Sequence, residues 1–397
     1  MITHLFSFSY PNFEKNGTRA HGLAGLGNTR REKAVDEMKT FSCETRIVSG
    51  PGAVAALKEF GAKRVFLVTD PFFTKNGTAQ HVAEAAGGET VEIFDGVKPD
   101  PSVSLAAEGT AKLKAFAPDL LVALGGGSAM DCAKAMAYFS QGTFPLAAIP
   151  TTSGSGSEVT DFAILTHDGV KHPLVDRRLR PSMAILDSDL LESLPKSLIA
   201  DAGFDVLSHA LESYVAVNAG AFSDLLAREA FAGAYAALPA SYAGQKAVRL
   251  KIHLASTMAG LSFTHAGLGL CHAISHSLGG LFHVPHGRLN AILLPSVISC
   301  NAHAAQRKYA ELARAAGLGG SADQVAVRNL KNGLTRLRKE LELPQTLAEA
   351  GISPRELWSK MPGIVAAALE DPCCKTNPMP AEDFLIRRIL EEAAGRG

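Results

Sequence analysis

The stretch "LLVALGGGSAMDCAKAMAYF" (Leu120–Phe139) joins an apolar run to a helical pattern through three glycines and a serine. The run has the length and composition of a buried strand, and Ser128–Ser140 has the spacing of a helix. Glycines at such a junction let the backbone approach a ligand closely, and the free N–H groups at a helix start favour a diphosphate. A tight strand–helix turn without a ligand is the alternative. The loop residues are Gly125, Gly126, Gly127 and Ser128.

Short apolar runs alternate with helical patterns throughout the first half of the chain. The runs are Arg64–Asp70, Val91–Val97, Leu120–Gly127 and Phe144–Thr152. Such alternation predicts a parallel sheet with helices on both faces. After about Lys196 only helical spacing continues. We therefore predict an α/β domain over residues 38–196 and an all-helical domain over 197–397, preceded by a turn-rich, flexible extension over 1–37.

Two further features of the α/β half fit a nucleotide. The loop "IPTTSGSGSEVT" (Ile149–Thr160) follows a strand and offers hydroxyls that can donate to phosphate or ribose oxygens; a surface loop is the alternative. These hydroxyls belong to Thr151, Thr152, Ser153, Ser155 and Ser157, of which Thr151, Thr152 and Ser155 are the predicted cofactor residues. Asp70 ends an earlier strand, where it could accept both adenosine-ribose hydroxyls of NAD and repel the 2′-phosphate of NADP, or act as a turn aspartate. The glycine spacing is not G-x-G-x-x-G, so a standard Rossmann fold does not follow.

A second constellation lies in the helical half. In "FDVLSHALESYV" (Phe204–Val215), Asp205 and His209 are four residues apart and share a helix face. Downstream, "GLGLCHAISHSLGGLFHVPHG" (Gly267–Gly287) supplies His272, His276, His283 and His286. Buried imidazoles and carboxylates are costly unless they are paired or bound to metal. Imidazoles with one carboxylate suit Fe(II) or Zn(II), whereas histidines that only pack in the core remain the alternative.

Composition excludes several classes of partner. Lys plus Arg equals Asp plus Glu at 39 each, so no field of one sign favours nucleic acid or an anionic membrane. The six cysteines lack C-x-x-C spacing and no leader pattern opens the chain, which favours the cytoplasm. No apolar run has the roughly 18 to 20 residues of a membrane span. A small neutral or amphipathic molecule is the expected partner.

These motifs together resemble the iron-dependent (group III) alcohol dehydrogenases. The similarity runs from about Met38 to the C-terminus and is greatest to the 1-propanol dehydrogenases of propanediol-utilisation systems. The resemblance implies the dehydroquinate synthase-like fold, with a dinucleotide-binding α/β domain, a helical metal-binding domain and an active site between them. It also implies a metal-dependent enzyme that uses NAD(H) to interconvert a short-chain aldehyde, such as propionaldehyde, and its primary alcohol.

The resemblance also assigns individual residues. It implies metal ligands at Asp205, His209, His272 and His286. His276 matches a pocket histidine beside the nicotinamide and is the candidate proton donor. Asp131, within "GGGSAMD", and Lys171 match cofactor positions, and Phe162 and Phe263 match the substrate pocket. Asp161 stands where small residues are expected, so the substrate preference stays open.

Several alternatives accompany this prediction. The enzyme could reduce a hydroxylated or sulfonated aldehyde, or act as a glycerol dehydrogenase or a dehydroquinate synthase-like lyase. A docking protein of a bacterial shell is the non-enzymatic alternative. The resemblance further implies a homodimer or larger homo-oligomer, and a cytoplasmic location or one inside a bacterial microcompartment. The extension over 1–37 is either an over-extended start or a targeting tail, and Thr29–Phe41 is its one stretch whose pattern could form an amphipathic targeting helix.

Overall fold

The computed structural model describes residues 38–167 and 170–395. From Phe41 onward the chain forms one compact unit. Residues 38–40 have no regular secondary structure. The predicted extension over 1–37, and with it most of the Thr29–Phe41 segment, lies outside the described residues. Among the described helices, none combines the length and the apolar content needed to cross a bilayer.

Six strands form a parallel sheet and two form a separate antiparallel hairpin. The strands are β1 (Arg46–Ser49), β2 (Arg64–Val68), β3 (Thr90–Phe94), β4 (Leu120–Gly125), β5 (Leu146–Pro150), β6 (Phe162–His167), β7 (Val170–Val175) and β8 (Met183–Leu186). The sheet order is β1-β8-β5-β4-β2-β3, and β6 pairs with β7. The predicted parallel sheet is therefore confirmed, whereas β1, β8 and the hairpin were not predicted.

Helices follow the strands and then replace them. Those of the α/β half are α1 (Pro71–Lys75), α2 (Thr78–Ala86), α3 (Val103–Phe116) and α4 (Gly127–Ser140). Those of the second half are α5 (Lys196–Val215), α6 (Ala221–Tyr242), α7 (Arg249–Ala266), α8 (Leu270–Phe282), α9 (His286–Ala315), α10 (Asp323–Glu340), α11 (Pro354–Glu370) and α12 (Asp383–Ala394). The predicted fold class, an α/β half followed by a helical half, is confirmed; the domain boundary at 196/197 stays a prediction.

The central strand shows why an uninterrupted apolar run was required. Every residue of β4 is buried. Leu120, Val122 and Leu124 pack into the core on one face of the sheet, whereas Leu121 and Ala123 pack into the core on the other. Because successive side chains of a strand point to opposite faces, a strand covered on both sides must be apolar at every position.

Strand register places the predicted loops at one edge of the sheet. Gly125 of β4 pairs with Pro150 of β5, and Val68 of β2 pairs with Ala123 of β4. The glycine loop, the hydroxyl loop and Asp70 therefore leave the sheet at the same level. This carboxyl edge is where open α/β sheets bind ligands.

The helical half is built around α5. This helix packs against α6, α7 and α9, and most of its side chains are buried, including Asp205 and His209. A helix that is enclosed on nearly all sides must be apolar all round, so polar residues on it need internal partners or a ligand. The position of α5 thus explains why two polar residues occur in so apolar a stretch.

Candidate active site

Four side chains from three helices converge in the helical half. Asp205 and His209 come from α5, His272 from α8 and His286 from the first turn of α9. One potential ligand atom from each lies within 4.8 Å of those of the other three. The Oδ1 atom of Asp205 lies 3.9 Å from Nε2 of His209, 3.9 Å from Nε2 of His272 and 3.5 Å from Nε2 of His286. The structure thus brings together all four predicted ligands.

These separations fit a divalent ion. Nitrogen and oxygen ligands about 2.1 Å from a tetrahedral ion lie about 3.4 Å apart, close to the 3.5 to 3.9 Å that separate Oδ1 of Asp205 from the three Nε2 atoms. The set contains three imidazoles, one carboxylate and no thiolate, which suits Fe(II) or Zn(II). His286 is the most exposed of the four, with 32% of its side chain accessible. The cluster therefore opens on the side of His286.

Burial shapes the electrostatics of the cluster. It lowers the pKa of His209 to about 3 and those of His272 and His286 well below the ordinary value, because charged imidazoles are poorly solvated there. Burial also raises the pKa of Asp205 to about 7, against the opposing hydrogen bond from Asn290. Neutral imidazoles have lone pairs available for a metal, and a cation would offset the cost of the buried carboxylate.

Glu212 is a functional residue that the sequence analysis missed. Its buried carboxylate accepts hydrogen bonds from the backbone N–H groups of Gly269 (2.9 Å) and Cys271 (2.7 Å), at the start of α8. It also lies 2.7 Å from Nδ1 of His272. With Nδ1–H donating to Glu212, Nε2 of His272 is left as the acceptor that faces the cluster. The signal was available in "SHALE", where Glu212 stands three residues after His209.

Asn290 orients the carboxylate of the cluster and was also missed. Its side-chain amide donates to Oδ1 of Asp205 at 2.9 Å, and its carbonyl oxygen accepts from the Ser275 hydroxyl at 2.5 Å. Asn290 lies one turn after His286 on α9 and is fully buried. Asn290 of α9 therefore links α5 and α8 through its hydrogen bonds to Asp205 and Ser275.

His276 lies beside the cluster but outside it. Its ring is parallel to that of His286, with 5.1 Å between ring centroids, and 36% of its side chain is exposed. Its Nδ1 atom lies 2.8 Å from Oδ2 of Asp371. Although burial opposes the ionised form of Asp371, the hydrogen bond and charge of His276 help to lower its pKa to about 2. Asp371 thus fixes the orientation of the ring through Nδ1 and leaves Nε2 for the open side.

The two predicted nucleotide loops lie against each other. A Cβ atom on Gly126 would come within 3.2 Å of Oγ1 of Thr152, and one on Gly127 within 3.2 Å of Cβ of Ser155. Thr151 donates its N–H to the carbonyl of Gly125. Gly127 and Ser128 start α4, so their N–H groups have no earlier turn of helix to bond. A Cβ atom at either position would crowd the second loop, so glycine favours this close approach, which fits a backbone cradle for a diphosphate.

The remaining predicted cofactor residues have internal partners. Asp70 caps α1 by accepting the N–H of Phe72 through Oδ1 at 2.8 Å. Lys171 forms an ion pair of 2.7 Å with Asp100. The charge of Lys171 also reaches His286, whose pKa it helps to lower after burial and the neighbouring histidines.

The two predicted pocket phenylalanines lead to the cluster. The ring of Phe162 lies 5.8 Å from that of Phe263, which lies 4.5 Å from the ring of His209. Asp161, which stands where small residues are expected, has a partner of its own. Its carboxylate forms an ion pair of 2.9 Å with Arg180. The hydroxyl loop also contacts α5: a Cβ atom on Gly154 would come within 3.2 Å of Cβ of Ala202.

Comparison with known families identifies both halves of the chain. Residues 44–188 match the family model described as iron-containing alcohol dehydrogenase. Residues 199–394 match the C-terminal model of the Fe-containing alcohol dehydrogenase family. Together the two matches span most of the α/β half and nearly all of the helical half.

Individual relatives agree with the family models. The chain is 40% identical to 1-propanol dehydrogenase PduQ of Salmonella typhimurium, over 89% of this chain and 100% of that protein. It is 35% identical to an NADPH-dependent butanol dehydrogenase of Clostridium saccharobutylicum, over 89% of this chain and 97% of that protein. A sulfoacetaldehyde reductase of Bifidobacterium kashiwanohense, solved with NAD⁺, superposes with a TM-score of 0.83 at 27% identity, over 91% of this chain and 100% of that one.

Proposed function

The chain belongs to the iron-containing alcohol dehydrogenase family, and on this basis we propose that it interconverts a short-chain aldehyde, such as propionaldehyde, and its primary alcohol. It is an oxidoreductase of the type that uses a divalent metal and a nicotinamide cofactor. Fe(II) is the proposed metal, with Zn(II) as the alternative, and NAD(H) is the proposed cofactor. The aldehyde follows from the relatives, since 1-propanol and butanol dehydrogenases are among them.

One observation carries the proposal: four metal-type donors, of which three are buried and His286 is partly exposed, converge next to an aromatic pocket and a nucleotide-type sheet edge. The donors are those of Asp205, His209, His272 and His286. The rings of Phe263 and Phe162 extend from His209 to the start of the hairpin. A docking protein would have no need for buried carboxylate and imidazole atoms at these separations, because burying them lowers stability unless a ligand compensates.

Each group has a distinct task in this reaction. When bound, the metal polarises the carbonyl oxygen of the aldehyde and the nicotinamide carries the hydride. Glu212 keeps Nε2 of His272 available, and Asn290 holds the Asp205 carboxylate towards the histidines. His276 presents Nε2 on the open side, where it can give a proton to the product oxygen directly or through water. Asp371 fixes the orientation of that ring.

The cofactor assignment combines the two loops with Asp70. The N–H groups of Gly127 and Ser128 and the hydroxyls of Thr152 and Ser155 can donate to phosphate and ribose oxygens. Asp70 uses Oδ1 as the α1 cap, which leaves Oδ2 to accept from a ribose hydroxyl. The same charge would repel a 2′-phosphate, so we assign NAD(H) although one relative is NADPH-dependent. Lys171 is assigned to the cofactor on the resemblance alone.

A homodimer or larger homo-oligomer is part of the proposal. The edge strand β1 pairs with β8 on one side, and its residues, Ile47 among them, are largely exposed. An exposed strand edge is a surface on which a second copy can pair. Light scattering coupled to size exclusion tests this, because a monomeric mass at micromolar concentration contradicts it.

Two locations are open for the enzyme, the cytoplasm and the interior of a bacterial microcompartment. The second rests on the likeness to propanediol-utilisation enzymes. Fusion of residues 1–41 to a fluorescent protein separates the two in a host that forms shells. Fluorescent puncta that require the shell would place the enzyme inside it, whereas diffuse fluorescence places it in the cytoplasm.

The decisive experiment is anaerobic reconstitution with Fe(II) followed by NADH oxidation with propionaldehyde. We expect turnover by the wild type and loss of both iron and turnover in His286→Ala. His283→Asn is the matched control, because His283 is an exposed histidine of the same segment that lies outside the cluster. Normal iron content and turnover in His286→Ala would remove the metal assignment, and an inactive wild type with bound iron would remove the substrate class.

A further inference from the structure

A lysine with no place in the chemistry above is fully buried in the α/β half. Lys134 lies on α4, three residues after Asp131, and its side chain has no solvent exposure. Its ammonium nitrogen lies within 3.0 Å of four oxygens, so one of its three N–H donors is shared between two of them. The oxygens are Ser157 Oγ (2.9 Å), Thr160 Oγ1 (2.9 Å), the Thr160 carbonyl (3.0 Å) and the Phe162 carbonyl (3.0 Å). All four belong to one stretch of chain, residues 157–162.

Asp131 binds the same stretch one turn of helix earlier. Its Oδ1 atom accepts from the Ser157 hydroxyl at 2.7 Å, and Oδ2 accepts from the Ile164 N–H at 3.0 Å. Ser157 therefore donates to Asp131 and accepts from Lys134 at once. Both carboxylate oxygens of Asp131 are engaged inside the protein, although the sequence assigned this residue to the cofactor.

The stretch held by this pair leads directly to the aromatic pocket. Residues 157–164 end the hydroxyl loop and begin β6, whose first residue is Phe162. The pair fixes the carbonyl of Thr160 before Phe162, and the carbonyl of Phe162 and the N–H of Ile164 after the Cα atom that carries the Phe162 ring. That ring faces Phe263, which packs on His209.

Stability alone does not account for a charged pair at this position. The desolvation of two buried charges largely cancels their attraction, and apolar side chains of similar volume often serve as well or better. The charged pair adds specificity for one backbone conformation. Its two side chains make six polar contacts with residues 157–164, and these contacts are compatible with a single path of that backbone.

We propose that Asp131 and Lys134 are positioning residues that fix Phe162 and thereby set the shape of the aldehyde pocket that Phe162 and Phe263 line. The inference rests on the proposed function, in that the pocket receives an aldehyde. Neither side chain touches the substrate. With the pair loosened, Phe162 shifts, small aldehydes lose contact and longer aldehydes gain room.

The test compares Lys134→Met and Ser157→Ala with the wild type. Ser157→Ala removes the shared hydroxyl and keeps both charges, so it serves if Lys134→Met does not fold. Lys114→Met is the matched control, because Lys114 is exposed on the adjacent α3. The measurements are kcat and KM for propionaldehyde and hexanal, the Kd of NADH, bound iron, and hydrogen exchange of residues 157–167.

Both variants should raise KM for propionaldehyde about tenfold and shift kcat/KM selectivity towards hexanal, because small displacements in a pocket have large kinetic effects. Iron content and the Kd of NADH should not change, and exchange over 157–167 should accelerate. A raised Kd of NADH with unchanged aldehyde selectivity overturns the inference and restores Asp131 as a cofactor residue. If the wild type reduces no aldehyde, the proposed function fails, and unchanged exchange in the variants then overturns the positioning role independently.

Discussion

Two buried polar clusters occupy opposite halves of this protein, and they differ in where their partners come from. Around Lys134 and Asp131, each polar atom of the pair meets a partner from the chain itself. Around Asp205, three Nε2 atoms lie 3.5 to 3.9 Å from Oδ1, too far for hydrogen bonds to it. The one amide of Asn290 lies near Oδ1 and near the Nε2 atoms of His272 and His286. A buried cluster in which each polar atom has its own partner holds the backbone in place, whereas a cluster of acceptors that share one donor group suits a cation.

The largest effect should follow removal of the only carboxylate among the four donors. We expect Asp205→Asn to lower metal affinity at least about 100-fold and to abolish turnover. A neutral amide does not balance the positive charge of the metal ion and attracts the ion less than a carboxylate does. Metal analysis after Fe(II) reconstitution measures this. Asp201→Asn is the control, since Asp201 lies one turn earlier on α5 and pairs with Arg288 at 2.9 Å instead of joining the cluster. Equal iron in both variants would erase the contrast between the two clusters.

His276 tests whether an imidazole beside the metal cluster must also be a ligand. We expect His276→Ala to keep its iron and to lose about 100-fold in kcat, within the range for removal of a general acid or base. Iron content and kcat are measured on the same preparation. Loss of iron along with rate would place His276 among the ligands and break the distinction between the cluster and its surroundings.

Glu212 tests the hydrogen bond that orients the proposed ligand His272 from its Nδ1 side. In Glu212→Gln we expect metal affinity to fall about 10- to 100-fold, as is typical when the partner of a ligating histidine is lost. The new amide N–H₂ would face the N–H donor of either Gly269 or Cys271, which misplaces the start of α8. Competition with a chelator measures the affinity. Glu311→Gln, which removes a charge that contacts only Arg307 and the Tyr214 hydroxyl among the described contacts, should bind metal normally.

Asp70 tests the cofactor edge of the sheet, because its carboxylate both caps α1 and is proposed to bind the adenosine ribose. Serine can replace aspartate as the α1 cap but carries no charge. Asp70→Ser should therefore raise the NADPH-to-NADH ratio of kcat/KM about tenfold with little loss of stability. Asp70→Ala should show the same change in preference with a lower melting temperature. Equal use of both cofactors by the wild type would assign Asp70 to capping alone.

The smallest effect concerns the internally satisfied cluster and its pH dependence. Burial lowers the pKa of Lys134 from 10.5 to about 8, against the charges of Asp131, Glu158 and Asp161. Between these values the unfolded chain binds more protons than the folded chain, so the free energy of unfolding should rise with pH by about 1.4 kcal/mol per unit at most.

This prediction is checked by urea unfolding of the wild type and Lys134→Met at two pH values. The first, pH 7.5, lies below the window between the two pKa values, and the second, pH 9.5, lies within it. The difference in stability between the two proteins should grow in favour of the wild type at the higher pH. A difference that stays constant with pH would mean that Lys134 titrates above this range and is held more firmly than burial suggests.

Sequence reasoning reached the fold because its signals are local. An unbroken apolar run such as Leu120–Leu124 can only be a strand covered on both faces, and helical spacing after Lys196 continues to the end of the chain. It missed β1 and β8, which are four residues long, and the hairpin β6–β7. Short strands are fixed by the neighbour with which they pair, and that neighbour is distant in sequence.

The same division applies to the candidate site. The sequence by itself determined which residues are chemically able to serve: the glycine and hydroxyl loops, Asp70, and histidines at helical spacing with Asp205. Only the tertiary structure decided which atoms meet. The partners that orient those residues are far away along the chain, with Glu212 60 residues from His272 and Asp371 95 residues from His276. Spacing along one helix specifies a shared face, whereas contacts between elements depend on how whole helices and strands pack, which no local pattern encodes.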